Sequence, residues 1–222
     1  MVRVAFLAGF VLTLFTVSRN AWGQLHWDAG INAGAQRRIL TSGAGDGGIG
    51  PMVGLEAHIA LIPLVRVGAY VTEEIAPTDD GAAARKITAG GIHAKGISPW
   101  PRGNFRGWIF AGLGYAGVYA PSYHRTLHIS PDGTSSPLPR DTLVTGAGGS
   151  FFDVPVGIGA SYKVRKPWEI SLQVGARFGF GFTGSVYEGR AALPAGSAQQ
   201  ILAPLGSDTV AVFMTLGVSL AL

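Results

Sequence analysis

Cysteine is absent from the 222 residues. That removes any disulfide framework, thiolate metal site or cysteine nucleophile, and no lipid-bearing cysteine can follow a leader. Charge is scarce as well. Asp, Glu, Lys and Arg together make up 14% of the chain, whereas a soluble domain carries about 25%. An ordinary water-facing surface cannot be built from that supply. Basic residues do not cluster with interleaved aromatics, which argues against nucleic acid as a partner. The formal charge of +4 falls further when Arg3 and Arg19, at the start of the chain, are set aside. The run Gly43-Ala44-Gly45-Asp46-Gly47-Gly48 lacks both the lysine and the following helix of a phosphate cradle. No stretch after residue 23 reads as a helix.

Apolar residues and glycine are what the chain has in quantity. A hydrophobic content of 47% excludes disorder. Thirty-four glycines argue against a helical protein, because each costs about 1 kcal/mol in a helix interior.

Residues 1–23 read as a secretory leader. Met1-Val2-Arg3 is short and positive, Val4 to Val17 is apolar, and Ala21-Trp22-Gly23 places small residues at the −3 and −1 positions. The apolar run is too short for a helix that crosses a bilayer, which needs about 20 residues. Cleavage is expected before Gln24, which leaves residues 24–222 as one domain.

That domain alternates with period two, the signature of strands. In 25–36, Leu25, Trp27, Ala29, Ile31, Ala33 and Ala35 form one face, against His26, Asp28, Gly30, Asn32, Gly34 and Gln36. The pattern returns in 52–62, 64–75, 152–162, 169–181 and 209–222. It is weaker in 86–98, where Ile92 and Ala94 oppose His93 and Lys95, and 106–119 is apolar on both faces. This gives eight strands, most of them longer than the roughly 5–6 residues of a globular strand. Pro63, the segment 99–104 and Arg165-Lys166-Pro167 mark short turns. Longer connections fall near 37–50, 76–85, 120–149 and 183–207. The third of these reads as a hairpin extension, with Asp132-Gly133 between Thr126–Ile129 and Asp141–Val144. Short turns alternating with long loops are the mark of an up-and-down transmembrane barrel.

A soluble barrel would show the same alternation inverted. Here the clean strands carry no charge on the apolar face, and the polar face is mostly Gly, Ser, Thr and Ala. The first suits lipid, where a midplane Lys or Arg costs about 2–4 kcal/mol. The second suits the crowded lumen of an eight-stranded barrel. Trp27, Trp100, Trp108 and Trp168 fall near the short turns, and Tyr119, Tyr123, Phe180 and Phe182 near the long loops, as two interfacial girdles would. The expected fold is thus all-β: an eight-stranded antiparallel up-and-down transmembrane β-barrel.

The pattern over 24–222 resembles the small outer-membrane β-barrel proteins of Gram-negative bacteria, of the OmpA-barrel, OmpX and OmpW type. The most specific resemblance is Thr215-Leu216-Gly217-Val218-Ser219-Leu220-Ala221-Leu222. It is similar to the family's assembly signal, carried here by Thr215, Gly217, Leu220 and Leu222; the departure is Leu222, where an aromatic is common. The resemblance implies an outer-membrane location after export, recognition by the barrel-assembly machinery, outer-membrane lipid as the surrounding partner, and a monomer. The peptidoglycan-binding domain of full-length OmpA proteins is not expected here. Fold alone does not fix activity.

Charged residues expected to face the lumen are Asp28, Glu56, Arg66, Lys95, Asp153, Glu169 and Arg177, with His26, His58 and His93 beside them. Mixed signs allow a salt-bridge network that fills the interior. Arg177, between Gly175 and Gly179, is expected to reach Glu56 or Asp28. The alternative is a small pore or solute conduit, for which the glycines of 157–161 and 175–181 would leave a cavity. A third reading is a lipid-modifying enzyme. It rests on His128-Ile129-Ser130, which resembles the His-x-Ser element of lipid A deacylases, or on the loose set Ser122, His124 and Asp132. Turn chemistry alone explains Ser and Asp in loops, so no catalytic residue, cofactor or enzymatic activity is expected. The histidines show no metal-ligand spacing. The favoured reading is a structural or surface-interaction protein.

Overall fold

A computed structural model describes residues 26–40, 46–77, 84–99, 103–129, 138–146, 148–184, 189–191 and 208–221. Residues 1–25 and Leu222 lie outside them. Eleven strands run in chain order: β1 (Trp27–Leu40), β2 (Asp46–Ile62), β3 (Val65–Ala76), β4 (Arg85–Ile97), β5 (Phe105–Tyr119), β6 (Tyr123–Ile129), β7 (Leu138–Gly146), β8 (Gly149–Arg165), β9 (Trp168–Gly184), β10 (Gly189–Ala191) and β11 (Thr209–Ala221). Eight of them close into an antiparallel barrel in the order β1-β11-β9-β8-β5-β4-β3-β2. Closure is made by β1, which pairs with β2 on one side and β11 on the other, from Asp28↔Ala221 to Leu40↔Thr209. No barrel edge is left open, the condition for a sheet in hydrocarbon.

Alternation becomes sidedness. Ile92 (65% exposed), Ile109 (66%) and Leu216 (64%) point outward, as do Ile31, Leu113, Ile158 and Met214. A soluble monomer does not display such a continuous apolar surface; this one is solvated by acyl chains. The outward charges Glu73 and Lys86 pair with each other at 2.7 Å near the long-loop end, clear of the belt's middle. Replacing Leu216 by Arg should therefore cost about 2–4 kcal/mol in a refolding titration. An unchanged unfolding free energy would show that this face does not lie in lipid.

The barrel departs from the sequence reading in four places. The long-loop ends of β1 and β2 continue through much of 37–50, so these strands reach 14 and 17 residues and project beyond the roughly 9–11 that cross a membrane. The expected hairpin within 120–149 exists, with Thr126 opposite Asp141, but β10 from the fourth connection joins it as a third strand. Trp108 faces inward and is buried, so it is not a girdle residue; Trp27 and Trp168 keep the outward parity, and Trp100 lies outside the described residues. Phe182 also turns inward. Gly181 takes a φ of 68° in an irregularity where Ser150↔Thr183 follows Phe152↔Phe180. The extra residue on β9 reverses the parity, and the Phe182 ring packs tilted against Phe151 with centroids 4.7 Å apart.

Segment 106–119, ambiguous in sequence, is now resolved. Trp108, Phe110, Ala116 and Val118 are buried inside, while Ile109, Leu113, Tyr115 and Tyr119 face out.

Candidate functional site

The lumen is the only enclosed polar environment the fold creates among the described residues, and side chains cross it at several heights. Nearest the short turns, Glu169 accepts a hydrogen bond from Ser161 Oγ at 2.9 Å and lies 3.7 Å from Arg106. Above it, Lys95 Nζ meets Glu56 Oε1 at 2.7 Å, and Gln173 Nε2 donates to the same oxygen at 3.1 Å. Gln173 comes from β9 and Glu56 from β2, on well-separated staves of the barrel. Asp28 accepts from His58 Nδ1 at 2.7 Å and is also bound by Arg66.

The His58 and His93 ring centroids lie 4.4 Å apart with 20° between the planes, and their Nε2 atoms meet edge to edge. The meeting depends on a missing side chain. Gly68 of β3 is the register partner of both His58 and His93. A Cβ on Gly68 would lie 2.7 Å from His58 Cδ2, so any larger residue would crowd the ring.

The middle of the barrel is apolar. Met52, Trp108, Phe110 and Phe213 form one buried cluster, with Phe110 and Phe213 spanning the lumen at 6.3 Å between centroids. Glycine makes room for these rings. A Cβ on Gly157 would stand 2.7 Å from Phe110, one on Gly159 2.4 Å from Trp108, and one on Gly175 2.9 Å from Phe213. The glycine-rich faces of 157–161 and 175–181 thus hold aromatics and do not leave the cavity that a pore would need.

Toward the long loops the lumen is polar again. Arg177 grips Asp153 with two bonds, Nε to Oδ1 at 3.0 Å and Nη2 to Oδ2 at 2.5 Å, and donates Nη1 to Thr72 Oγ1 at 2.6 Å. Tyr70 donates its hydroxyl to Asp153 Oδ2 at 2.8 Å. The link runs from β8 and β9 to β3 across the barrel. Glu56 and Asp28 are not its partners: both belong to the lower groups. Arg38 forms the next link, with Nε 2.8 Å from Glu74 Oε1 and Nη1 2.8 Å from Thr209 Oγ1. An apolar cap of Ala76, Ile87, Ala89, Ala116, Val118 and Phe151 lies beside it.

Asp28, Glu56, Arg66, Lys95, Asp153, Glu169 and Arg177 lie in these groups with the partners given above. His26 is not in the network; it is exposed ahead of β1. Sequence reading missed Arg38, Glu74 and Arg85, all buried. Their parity continues that of Asp28, Thr72 and His93, but the expected strands stopped short of, or ignored, them. It also missed that His58 and His93 meet, because strand pairing and not sequence spacing joins them. Thr215 and Gly217 face inward on the closing seam and Leu220 faces lipid, half-buried. His124 Nδ1 lies 3.3 Å from Asp141, not Asp132, and both are exposed on the β6–β7 hairpin. Ser130 and Asp132 lie outside the described residues, as do the glycines of 43–45. Near the short turns a space of about 30 Å³ is lined by Asp28, Glu56, Arg66, Lys95 and Glu169 among others, and a second of about 280 Å³ is lined by Pro63, Leu64, Arg66, Ile97 and Arg106 among others.

No protein-family model matches the sequence, and no curated protein matches it either. Solved structures do. A major outer membrane protein from Thermus thermophilus aligns with a TM-score of 0.54 at 11% identity, covering 90% of this chain and 100% of that one. Neisserial surface protein A aligns at 0.48 and 13%, covering 87% and 96%. The outer membrane protease OmpT from Escherichia coli aligns at 0.41 and 10%, covering 89% and 96%. At 10–13% identity the likeness carries fold and not activity. With its closed eight-stranded wall, lipid-facing belt and filled lumen, the chain has the fold of a small outer-membrane β-barrel.

Proposed function

We propose that the protein is a closed outer-membrane barrel with a structural or surface-interaction role, and that it neither conducts steadily nor catalyses a reaction. The observation that carries this is the set of cross-lumen links: Gln173 to Glu56, Phe110 to Phe213, and Arg177–Asp153 to Thr72. Each joins separated staves at a different height, so a solute path would have to break all of them. The three-stranded sheet of β6, β7 and β10 stands outside the barrel closure and carries the exposed residues His124, Thr126, Asp141 and Leu143. The paired His124 and Asp141 there are exposed to water, where no low-dielectric pocket strengthens a catalytic dyad.

Residues 1–23 are, in this reading, a leader removed on export, and the mature barrel works as a monomer. Planar-bilayer recording of the purified chain, N-terminally sequenced to start at Gln24, tests the proposal. The expected trace is a closed baseline with rare, brief openings. A steady open channel would favour the solute-conduit reading.

A further inference from the structure

We propose that His58, His93 and Glu56 form a binding site for one divalent transition-metal ion of the zinc class inside the barrel wall. One ligand atom from each of the three lies within 4.8 Å of the others. Two imidazoles and a carboxylate are a donor set that zinc accepts, at about 2.0–2.2 Å per ligand. The set is oriented as a metal site requires. With His58 Nδ1 held against the Asp28 carboxylate, Nε2 is the ring nitrogen left to bind an ion, and it meets His93 Nε2. A carboxylate behind a ligating histidine fixes tautomer and direction in this way.

The two Nε2 atoms face each other, so only a shared proton or a cation satisfies both lone pairs. They stand closer than two ligands of one ion, and binding parts the rings. Gly68 leaves the space between β2 and β4 in which this happens. Lys95 and Gln173 both donate to Glu56 Oε1, and Oε2 is the oxygen left for the ion. The cavity beneath reaches Glu56 and Asp28 from the short-turn side. It opens a route to the Glu56 carboxylate, although neither histidine lines it.

The test uses the full chain folded in detergent, stripped with EDTA and titrated with zinc sulfate by calorimetry. The expected result is one saturable zinc per chain. Cobalt(II) in place of zinc should give the intense visible bands of a four- or five-coordinate site. Weakening a supporting partner typically lowers metal affinity about 10–100-fold, so Asp28→Asn should fall in that range. His93→Gln and Glu56→Gln, which remove ligands, should weaken binding by at least that much. His124→Gln, on the surface hairpin, should leave it unchanged. Heat-modifiable gel mobility selects the variants that fold, and the cobalt spectrum of the wild type reports the ligands without any substitution. Absence of a stoichiometric site in the folded wild type overturns the proposal. Unchanged affinity in folded His93→Gln does so too.

Discussion

Arg177→Ala is expected to lower the unfolding free energy by about 3–5 kcal/mol, the usual cost of removing one partner from a buried ion pair. The reason is what stays behind. Asp153 is fully buried, and its carboxylate accepts two bonds from Arg177. Without the guanidinium only the Tyr70 hydroxyl still serves it, and Thr72 loses its donor. Arg177→Lys should recover part of the loss, because an ammonium restores the charge but not the two-pronged geometry. Arg177→Met combined with Asp153→Leu should recover more, since it removes the orphaned charge itself. Denaturant titrations of the three folded variants measure the series. Equal stability of Arg177→Ala and wild type would mean that water reaches the pair. Conductance is expected to stay low in all three. The Phe110–Phe213 contact and the Glu56 group cross the lumen below Arg177 and do not depend on it.

Sidedness was legible in the sequence, whereas height was not. Lipid outside and a packed lumen inside impose opposite chemistry on alternate residues, so Asp28, Glu56, Asp153 and Arg177 could be placed inward from parity alone. Which of them touch depends on register between strands far apart in the chain. Pairing sets Arg177 opposite Pro155 and Asp153 opposite Gly179, one lumen position apart on neighbouring strands, and periodicity carries no information about that offset. The same holds for His58 and His93, brought together through a glycine on the strand between them. Strand ends were misread for a related reason. Above the bilayer the outer face need not be apolar, so Arg37 and Glu73 break the alternation although the strands continue. Glycine-rich walls were ambiguous because a missing Cβ serves an empty channel or an intruding ring equally well. Only the position of Trp108, Phe110 and Phe213 decides between them.

Deleting Val218–Leu222 is expected to abolish barrel assembly. The closing seam runs along the whole of β11, and this deletion removes Ile31↔Val218, Gly30↔Ser219, Ala29↔Leu220 and Asp28↔Ala221. The short-turn end of β1 would then present unpaired backbone groups to hydrocarbon, where each costs several kcal/mol. On β9 the same deletion strips Ile170, Glu169 and Trp168 of their partners. Substitution separates pairing from recognition. Gly217 sits inside the seam, and a Cβ there would lie 2.7 Å from Ser171 Oγ and 3.0 Å from the Ile31 carbonyl oxygen. Gly217→Asp should therefore block closure by crowding as well as by charge. Leu220→Asp leaves the backbone pairing intact and changes only a lipid-facing side chain of the terminal signal. We expect recognition of this signal by the assembly machinery, so Leu220→Asp should reduce membrane levels in cells while the purified chain still refolds in detergent. Heat-modifiable mobility of the refolded chains, set against membrane levels in cells, distinguishes the two roles. If Leu220→Asp reaches normal membrane levels, the terminal strand acts through pairing alone.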